Sequence, residues 1–296
     1  MVDGEFFDIS MRRHGFLLIV TLVILYLTIR SSRESQYKRN ESDVQWKRKQ
    51  YDAQLLIYNR VQKCGSRSLL QAIRPTLDDN GVQFGAENLV YWLTKEAEAE
   101  VVSKIQNFSQ KNTRSLWAQH IHFLHFIEKP IPLYINLVRE PVERFISHFY
   151  FRRFLDNGKK KANMVNGMIN EGSYRQFNQT VNDCVLANSK ECTALKIWKS
   201  GMVPYFCGDM PICEEPSEEA LKIAKNNIDR SYLVIGLTEN FNDFVEVLES
   251  MLPKFFDGLK IHNSIIYEYA RGKTETKNKE AQQPATENTL KFYEVE

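Results

Sequence analysis

The sequence predicts an α/β domain built around a central, mostly parallel sheet, and three patterns support that fold class. Apolar runs of strand length alternate with amphipathic segments of helical length, the order that builds βαβ units. The runs are continuously apolar, as in parallel strands buried on both faces. Loops rich in Lys, Arg and Ser follow two of them, where the carboxyl ends of parallel strands bind ligands.

The predicted elements begin at residue 54. Strands are predicted over residues 54–60, 114–120, 132–138 and 232–237, and helices over residues 66–74, 94–108, 140–154, 214–228 and 240–252. The first helix is expected to stop before Pro75, because proline lacks the N–H that continues a helix. The polar tail from Tyr269 onward carries no clear pattern.

Bulk composition excludes some partners. The chain has 296 residues, 43% of them hydrophobic, and a net charge of +2. This is enough for one large domain or two small ones. The near-neutral balance does not favour nucleic acid, so any anion site must be local.

One segment predicts membrane attachment. Residues 15–29, GFLLIVTLVILYLTI, are uncharged and precede a polar stalk, residues 30–53. A cleaved signal peptide is disfavoured, because no cleavage site of small residues follows the apolar run. A buried core helix is disfavoured as well, because the run stands alone beside a charged stalk. We therefore expect a cytoplasmic tail over residues 1–14, a signal anchor over 15–29 and a lumenal domain over 54–296. The density of Lys and Arg on the two sides of the apolar segment does not indicate this orientation. The glycosylation sequons at Asn40, Asn107 and Asn178 all follow the segment and agree with a lumenal domain.

The cysteines indicate an oxidising compartment. Cys184 and Cys192 have seven residues between them, and Cys207 and Cys213 have five. Such short pairs suit disulfide-closed loops, whereas a metal site would need Cys-x-x-Cys or clustered histidines. We therefore expect two disulfides, no metal, and a remaining thiol at Cys64.

The loop NRVQKCGSRS, after the first strand, has the features of an anion site. Gly65 permits close backbone approach, and the amides of residues 64–68 point out of the N-terminus of the next helix. Lys63 adds a charge, while Ser66 and Ser68 add hydroxyl donors. The loop is not a Walker A motif. An ordinary strand-to-helix turn with a solvated lysine is the alternative.

A second anion site is predicted after the strand LYINLV. Arg139 ends that strand, and Ser147 lies about two turns into the following helix. Two anion sites at the ends of parallel strands fit a bisphosphate nucleotide. The alternative is salt bridging to Glu140 and Glu143, which we expect for Arg144 more than for Arg139.

Several separated segments carry a resemblance to a known family: YNRVQKCGSRS, QHIHFLHF, YINLVREPVERFISHFYFRRF, VPYFCGDMPIC and YLVIGLTENFNDFVEVLESMLPKFF. They resemble, in the same order, the uronyl 2-O-sulfotransferases, Golgi enzymes that sulfate hexuronic acid in glycosaminoglycans. The heparan sulfate 2-O-sulfotransferases and the fly Pipe proteins are relatives. The KCGSR loop is more similar to the dermatan/chondroitin branch than to the heparan branch.

The resemblance implies a P-loop-like sulfotransferase fold and the donor 3'-phosphoadenosine 5'-phosphosulfate. It implies that the first loop holds the phosphosulfate, that a second motif holds the 3'-phosphate and that a basic loop, RGKTETK, closes over the nucleotide. By this resemblance the donor-binding residues are Lys63, Cys64, Gly65, Ser66, Arg67, Ser68, Arg139, Ser147, Lys273, Thr274 and Lys277.

The resemblance also implies the catalytic roles. His120 aligns with the catalytic histidine, and Lys63 is placed to stabilise the leaving oxygen. Ala118 replaces a second family histidine, although His122 would share the strand face of His120 and so reach the donor. Arg60, His122 and Arg153 are the predicted contacts to a polyanionic glycosaminoglycan. No metal is required, because cationic side chains supply the positive charge.

Two other classes of function compete with this one. The chain ends at LKFYEVE, earlier than expected of the family, whose last segment helps to complete the acceptor site and a trimer. A membrane-anchored, glycan-binding protein without catalysis is therefore the alternative. A P-loop kinase is disfavoured by the missing Walker residues. The expected setting is the Golgi membrane, with a possible homotrimer and no nucleic acid.

Overall fold

The computed structural model describes residues 50–87, 92–109, 113–154 and 179–270. The chain divides into two units, Met1–Lys49 and Gln50–Glu296, and all described residues lie in the second. The predicted tail, signal anchor and nearly all of the stalk lie outside the described residues, as do Asn40, Asn178, Lys273, Thr274 and Lys277. Among the helices of the described part, none combines the length and apolarity needed to cross a bilayer.

The predicted parallel sheet is confirmed. The described strands are β1 (Leu55–Asn59), β2 (Gln83–Ala86), β3 (Ser115–Gln119), β4 (Leu133–Val138) and β5 (Tyr232–Leu237). They form one sheet in the order β2-β3-β1-β4-β5, and every neighbouring pair is parallel. The loops after β1, β3 and β4 therefore meet at one edge of the sheet.

Helices flank the sheet and complete the α/β architecture. They are α1 (Ser66–Asp79), α2 (Lys95–Ser109), α3 (Pro141–Phe154), α4 (Val181–Leu186), α5 (Ala194–Lys199), α6 (Met202–Cys207), α7 (Glu218–Ser231), α8 (Phe241–Met251), α9 (Pro253–Phe256) and α10 (Leu259–Ala270). Two short 3-10 helices span Pro211–Glu214 and Thr238–Asn240.

The central strand is buried on both faces, which explains its unbroken apolar sequence. Leu56 and Tyr58 join a core cluster with side chains of α1 and α8. Leu55 and Ile57 point to the other face and pack in a second cluster with Trp117. Each face of β1 thus contributes alternate residues to a different core layer.

A buried polar network joins the last residue of β1 to the interior of β4 and the first residue of β5. The Nδ2 atom of Asn136 in β4 donates to Oδ1 of Asn59 in β1 at 2.8 Å. The hydroxyl of Tyr232 in β5 donates to the same oxygen at 3.0 Å. This network fixes the end of β1, from which the first loop of the site leaves.

The prediction that the first helix ends before Pro75 is wrong, because α1 continues through it to Asp79. Ile73, Thr76 and Leu77 are fully buried, so the apolar face extends past the proline. The hydroxyl of Thr76 also donates to the carbonyl of Ala72 at 2.8 Å. Packing on this face outweighs the hydrogen bond that proline removes.

Both predicted disulfides are confirmed, and they hold a region of short helices that the sequence patterns did not predict. Cys184–Cys192 links α4 to the segment before α5, with Cα atoms 5.9 Å apart. Cys207–Cys213 links the end of α6 to the following 3-10 helix, with Cα atoms 5.8 Å apart. Cys64 is a free, buried cysteine.

Candidate functional site

The loop between β1 and α1 has a backbone that requires glycine. Gly65 has φ of 70°, and Lys63 adopts the left-handed region as well, with φ of 64°. A Cβ atom at Gly65 would lie in van der Waals contact with the side chains of Leu137 and Thr238, 3.4 Å away, so the positive φ rather than crowding favours glycine there. The chain therefore turns tightly from strand to helix.

The first turn of α1 presents N–H groups that no side chain caps. Gly65 is the N-cap residue, and the first turn contains no acid. The positive end of a 14-residue helix thus faces the loop. The hydroxyl of Ser66 accepts a hydrogen bond from Nη2 of Arg60 at 3.3 Å. This is the arrangement that an anionic group requires.

Two cations of the loop stack on an aromatic ring of α3. The Nζ atom of Lys63 lies 4.0 Å from the ring centroid of Phe151, and the guanidinium of Arg67 lies 5.7 Å from it. Cation–π contacts hold a charge without neutralising it. The loop and the later turns of α3 therefore form one cationic surface.

His120 follows β3 and is held against the end of β1. Its Nδ1 atom lies 2.6 Å from the carbonyl oxygen of Arg60. Burial, followed by the charges of Arg60 and Arg67, lowers the pKa of His120 to about 4. The imidazole is therefore neutral at pH 7. Since a carbonyl oxygen only accepts, Nδ1 carries the hydrogen and Nε2 is left as the basic atom.

The expectation that His120 and His122 share one face of a strand is wrong. The strand β3 ends at Gln119, so neither histidine belongs to it. The side chain of His122 is inaccessible to solvent, and its Nδ1 lies 2.6 Å from Oδ1 of Asp209. Its ring also packs edge-on against Trp92 and Tyr205. This placement supports positioning of the loop rather than contact with a substrate.

Asp209 is a site-region residue that sequence reasoning missed. It lies between Cys207 and Cys213, in the loop that this disulfide closes, and its side chain is 2% exposed. The available sequence clue was an acid inside the short loop CGDMPIC. The loop brings that acid to His122, 87 residues earlier in the chain.

The ion pairing predicted around β4 and α3 is reversed. Arg139, after β4, pairs with Glu143 through Nη2 and Oε2 at 3.0 Å. The carboxylate of Glu140 instead accepts from the backbone N–H groups of Val142 and Glu143 at the start of α3. Arg144, expected to pair with these acids, is 1% exposed, and its guanidinium makes no hydrogen bond to either carboxylate.

Cationic side chains converge on His148 in α3. Burial, followed by the charges of Arg144, Arg152, Lys63 and Lys196, lowers the pKa of His148 to about 3. These residues come from the first loop, α3 and α5. The region between the loop and α3 is therefore electropositive, as a site for a multiply charged anion must be.

The predicted substrate contacts Arg60 and Arg153 lie in different settings. Arg60 is partly buried beside His120 and Ser66, at the edge of the loop. Arg153 is 1% exposed, forms an ion pair with Glu191 and stacks 3.4 Å above the ring of Phe149. The structure thus brings Arg60 beside His120, whereas Arg153 is buried in its ion pair, and its predicted contact with the substrate stays a prediction.

Ser147 and Cys64 complete the predicted set among the described residues. Ser147 lies on α3, is 7% exposed and shares a helix face with Arg144. Burial raises the pKa of the Cys64 thiol to about 12, so this cysteine contributes its backbone to the loop. No cluster of three His, Cys, Asp or Glu side chains in the described ranges is arranged to hold a metal ion.

Comparison with known proteins agrees with this geometry. A family model described as the sulfotransferase family matches residues 50–295. The human uronyl 2-sulfotransferase is 36% identical over 209 residues, covering 69% of this chain and 50% of that protein. A Caenorhabditis elegans heparan sulfate 2-O-sulfotransferase is 32% identical over 225 residues, covering 71% and 64%.

A Drosophila melanogaster heparin sulfate O-sulfotransferase is 30% identical over 252 residues, covering 80% of this chain and 65% of that protein. The chain therefore spans only half to about two thirds of the length of these relatives. The resemblance inferred from the separated motifs is confirmed. The loop after β1, the strand β4 with α3, and the match over residues 50–295 place this chain in the sulfotransferase family.

Proposed function

We propose that this protein transfers a sulfuryl group from 3'-phosphoadenosine 5'-phosphosulfate to the 2-hydroxyl of a uronic acid in a glycosaminoglycan. Its relatives are named as uronyl and heparan sulfate 2-O-sulfotransferases. The observation that carries the proposal is the neutral, anchored imidazole of His120 beside a cationic, uncapped helix N-terminus.

The residues present fit this donor. The uncapped N–H groups of α1, Lys63 and the hydroxyls of Ser66 and Ser68 suit the 5'-phosphosulfate. Arg139 and Ser147 suit the 3'-phosphate at the end of β4. When bound, the donor supplies sulfate as an activated phosphosulfate anhydride. Lys273, Thr274 and Lys277 remain predicted contacts beyond the described ranges.

His120 acts as the general base in this mechanism. Its Nε2 atom accepts the proton of the acceptor hydroxyl while the hydroxyl oxygen bonds to sulfur and the bond from sulfur to the phosphate oxygen breaks. The hydrogen bond to Arg60 holds the ring in the tautomer that this step needs. Lys63 stabilises the charge that develops on the leaving phosphate oxygen.

The acceptor is proposed to be dermatan- or chondroitin-type. The loop KCGSR is more similar to that branch, and the 36% identity to the uronyl 2-sulfotransferase exceeds the 32% identity to the heparan sulfate enzyme. Arg60 is the described cation beside His120 that suits an acidic sugar. We propose that His122 acts indirectly, by holding the position of the loop after β3, rather than by contacting the substrate.

The proposed setting is the Golgi lumen, for a single-pass type II membrane protein whose proposed assembly is a homotrimer. Two disulfides support an oxidising compartment. The sequon residue Asn107 is exposed on α2, where an oligosaccharide can attach. The apolar segment at residues 15–29 supports the anchor.

The test uses the full chain, produced through the secretory pathway of animal cells. Transfer of labelled sulfate is measured to desulfated dermatan, chondroitin and heparan chains. His120→Asn keeps a donor for the Arg60 carbonyl but lacks the basic Nε2, so we expect a loss of at least about 100-fold in kcat. Lys63→Met should lower both donor affinity and kcat. His125→Gln, at a half-exposed histidine paired with Glu98, is the matched control.

The outcomes separate the proposed enzyme from its alternative. Transfer that His120→Asn abolishes and His125→Gln leaves intact supports the enzyme and names its polymer. Binding of adenosine 3',5'-bisphosphate without transfer to any chain would instead indicate a glycan-binding protein that has lost catalysis. Failure of the folded protein to bind this nucleotide would overturn the donor assignment.

A further inference from the structure

Phe151 in α3 is an aromatic residue that has no part in the proposed mechanism. Its ring is partly buried and contacts two cations of the loop between β1 and α1. The Nζ atom of Lys63 lies 4.0 Å from the ring centroid, whereas the guanidinium carbon of Arg67 lies 5.7 Å from it. The nearer of the two cations is therefore the one proposed to stabilise the leaving group.

Lys63 belongs to a cluster of cations beside α3. The side chains whose charges act on the imidazole of His148 are all cationic: Arg144, Arg152, Lys63 and Lys196. His148 precedes Phe151 by three residues, so the two side chains lie on one face of α3. Repulsion among these charges would drive the ammonium of Lys63 away from this face unless an attraction opposes it.

The ring of Phe151 supplies an attraction that leaves the charge of Lys63 intact. The negative face of an aromatic ring attracts a cation that lies within about 6 Å of the ring centroid. A carboxylate in the same place would attract the ammonium more strongly, but it would also neutralise the charge and repel an anionic donor. An aromatic side chain is therefore suited to hold a cation that must stay available to a phosphosulfate.

The backbone of the loop restricts Lys63 as well. Its φ of 64° lies in the left-handed region, which is uncommon for residues other than glycine. Such a conformation persists only where the surrounding structure enforces it, and it is frequent at functional sites. A fixed backbone still leaves the ammonium mobile, because the lysine side chain is a flexible four-carbon chain. The turn thus restricts the near end of the side chain, and the ring of Phe151 restricts the far end.

We propose that Phe151 is the positioning residue for Lys63, holding its ammonium between the loop and α3 before the donor binds. The inference rests on the proposed function, in which Lys63 stabilises charge on the leaving phosphate oxygen. A side chain that is already held in place loses less entropy when it binds the donor, and it needs less rearrangement when charge develops. Phe151 acts through Lys63 and does not itself contact the reacting atoms.

The experiment measures binding of adenosine 3',5'-bisphosphate to the full chain by isothermal titration calorimetry, beside kcat/KM for sulfate transfer with the donor varied. Phe151→Leu keeps an apolar side chain of similar size but removes the aromatic face. It should weaken nucleotide binding about 3- to 30-fold, the factor to which the energy of a cation–π contact corresponds, and kcat/KM should fall with it. Phe151→Tyr keeps the ring and should stay within about twofold of the unsubstituted protein.

A double-mutant cycle on the nucleotide Kd separates positioning of Lys63 from general packing. In a protein that already carries Lys63→Met, Phe151→Leu should have little further effect, because no ammonium remains to be positioned. A packing role would instead give equal losses in both backgrounds. The same cycle with Arg67→Met should show weaker coupling, because the guanidinium of Arg67 lies farther from the ring.

Phe84 in β2 provides a matched control. Its ring is also partly buried, and the guanidinium carbon of Arg74 lies 4.9 Å from its centroid. Phe84→Leu removes the same kind of contact outside the loop, so the nucleotide Kd should change less than about twofold. Thermal unfolding of both leucine variants shows whether either substitution alters stability alone.

The results distinguish failure of this inference from failure of the proposed function. Losses in Phe151→Leu that Phe151→Tyr avoids, and that disappear in the Lys63→Met background, support the inference. Additive losses, or nucleotide binding by Phe151→Leu equal to that of the unsubstituted protein, overturn it and leave the donor assignment intact. If the unsubstituted, folded protein does not bind adenosine 3',5'-bisphosphate, the donor assignment fails and this inference fails with it.

Discussion

The Nδ1 atom of His120 donates a hydrogen bond to the carbonyl oxygen of Arg60 across 2.6 Å. Each residue directly follows a strand, β3 and β1, and the N–H of Arg60 donates to the carbonyl of Gln119 at 2.7 Å. The pairing of the two strands thus positions the imidazole. The register of β1 against β3 therefore determines which nitrogen of His120 carries the hydrogen.

The first prediction concerns the pH dependence of activity. Burial lowers the pKa of His120 to about 4, so its basic form persists well below the ordinary histidine value. We expect kcat/KM for sulfate transfer to stay level from pH 7 to about 5 and to fall near pH 4. Rates measured at constant ionic strength check this. A half-maximal rate near pH 6.5 would contradict it.

The second prediction concerns stability and pH. His120 and His148 both have folded-state pKa values below the unfolded value, near 4 and 3. Between pH 6.5 and 5 the unfolded chain therefore binds more protons, and the free energy of unfolding should fall as pH falls. Urea denaturation across this range measures the slope. His148→Gln should reduce the slope, whereas an unchanged slope would contradict burial of a neutral imidazole there.

The third prediction concerns the tight turn before α1. Gly65→Ala should lower the free energy of unfolding by about 1–2 kcal/mol, because an L-residue is strained at φ of 70°. Gly81→Ala is a matched control, since Gly81 has φ of 64° and no atom within 4 Å of an added Cβ. Calorimetry should show weaker binding of adenosine 3',5'-bisphosphate in Gly65→Ala alone. Equal binding in both variants would argue against the loop as the nucleotide site.

The fourth prediction tests the buried pair of Arg153 and Glu191. Glu191→Gln should destabilise the protein by about 3–5 kcal/mol, because it leaves the guanidinium of Arg153 buried with a neutral partner. Denaturant titration measures the loss. Replacing Asp52, the exposed partner of Lys254 and Arg114, by Asn should cost much less, because water screens exposed ion pairs. Similar costs at the two positions would show that burial of the first pair is incomplete.

The parts of the fold that followed from the sequence were those set by local pattern. β1, its loop and α1 combine a continuous apolar run, a glycine turn and a helical face, and each feature acts within a few residues. The same holds for β4 and α3, where Pro141 begins the helix as its fixed φ permits. Lys63, Gly65 and Ser147 could therefore be placed at one edge of the sheet.

The parts that did not follow depend on competition between distant or equivalent partners. Glu140 and Glu143 both lie within four residues of Arg144 in sequence, yet one binds backbone N–H groups and the other pairs with Arg139. The sequence patterns also could not predict the contact between His122 and Asp209, because that contact depends on the loop closed by a disulfide. Partner choice in the core is a tertiary property.

The last prediction concerns Asp209, which holds the chain two residues after the proposed base. Its carboxylate accepts from His122 at 2.6 Å, and the N–H of Phe123 donates to the carbonyl of Tyr205 on the adjoining helix at 2.8 Å. These contacts hold the segment after His120 against the disulfide loop and against α6. We therefore expect Asp209 to act as a positioning residue, whose loss should change turnover more than donor binding.

Asp209→Asn should lower the free energy of unfolding by about 1–3 kcal/mol, the cost of weakening a buried polar contact. It should also lower kcat for sulfate transfer while leaving the affinity for adenosine 3',5'-bisphosphate unchanged, because the nucleotide loop is not altered. A double-mutant cycle with His122→Gln measures the coupling, which should exceed about 0.5 kcal/mol for residues in contact. Glu98→Gln, at the half-exposed contact with His125, is the control and should leave kcat unaffected. Additive losses at Asp209 and His122, or a loss of nucleotide affinity equal to the loss of kcat, would mean that Asp209 supports the fold as a whole rather than the position of His120.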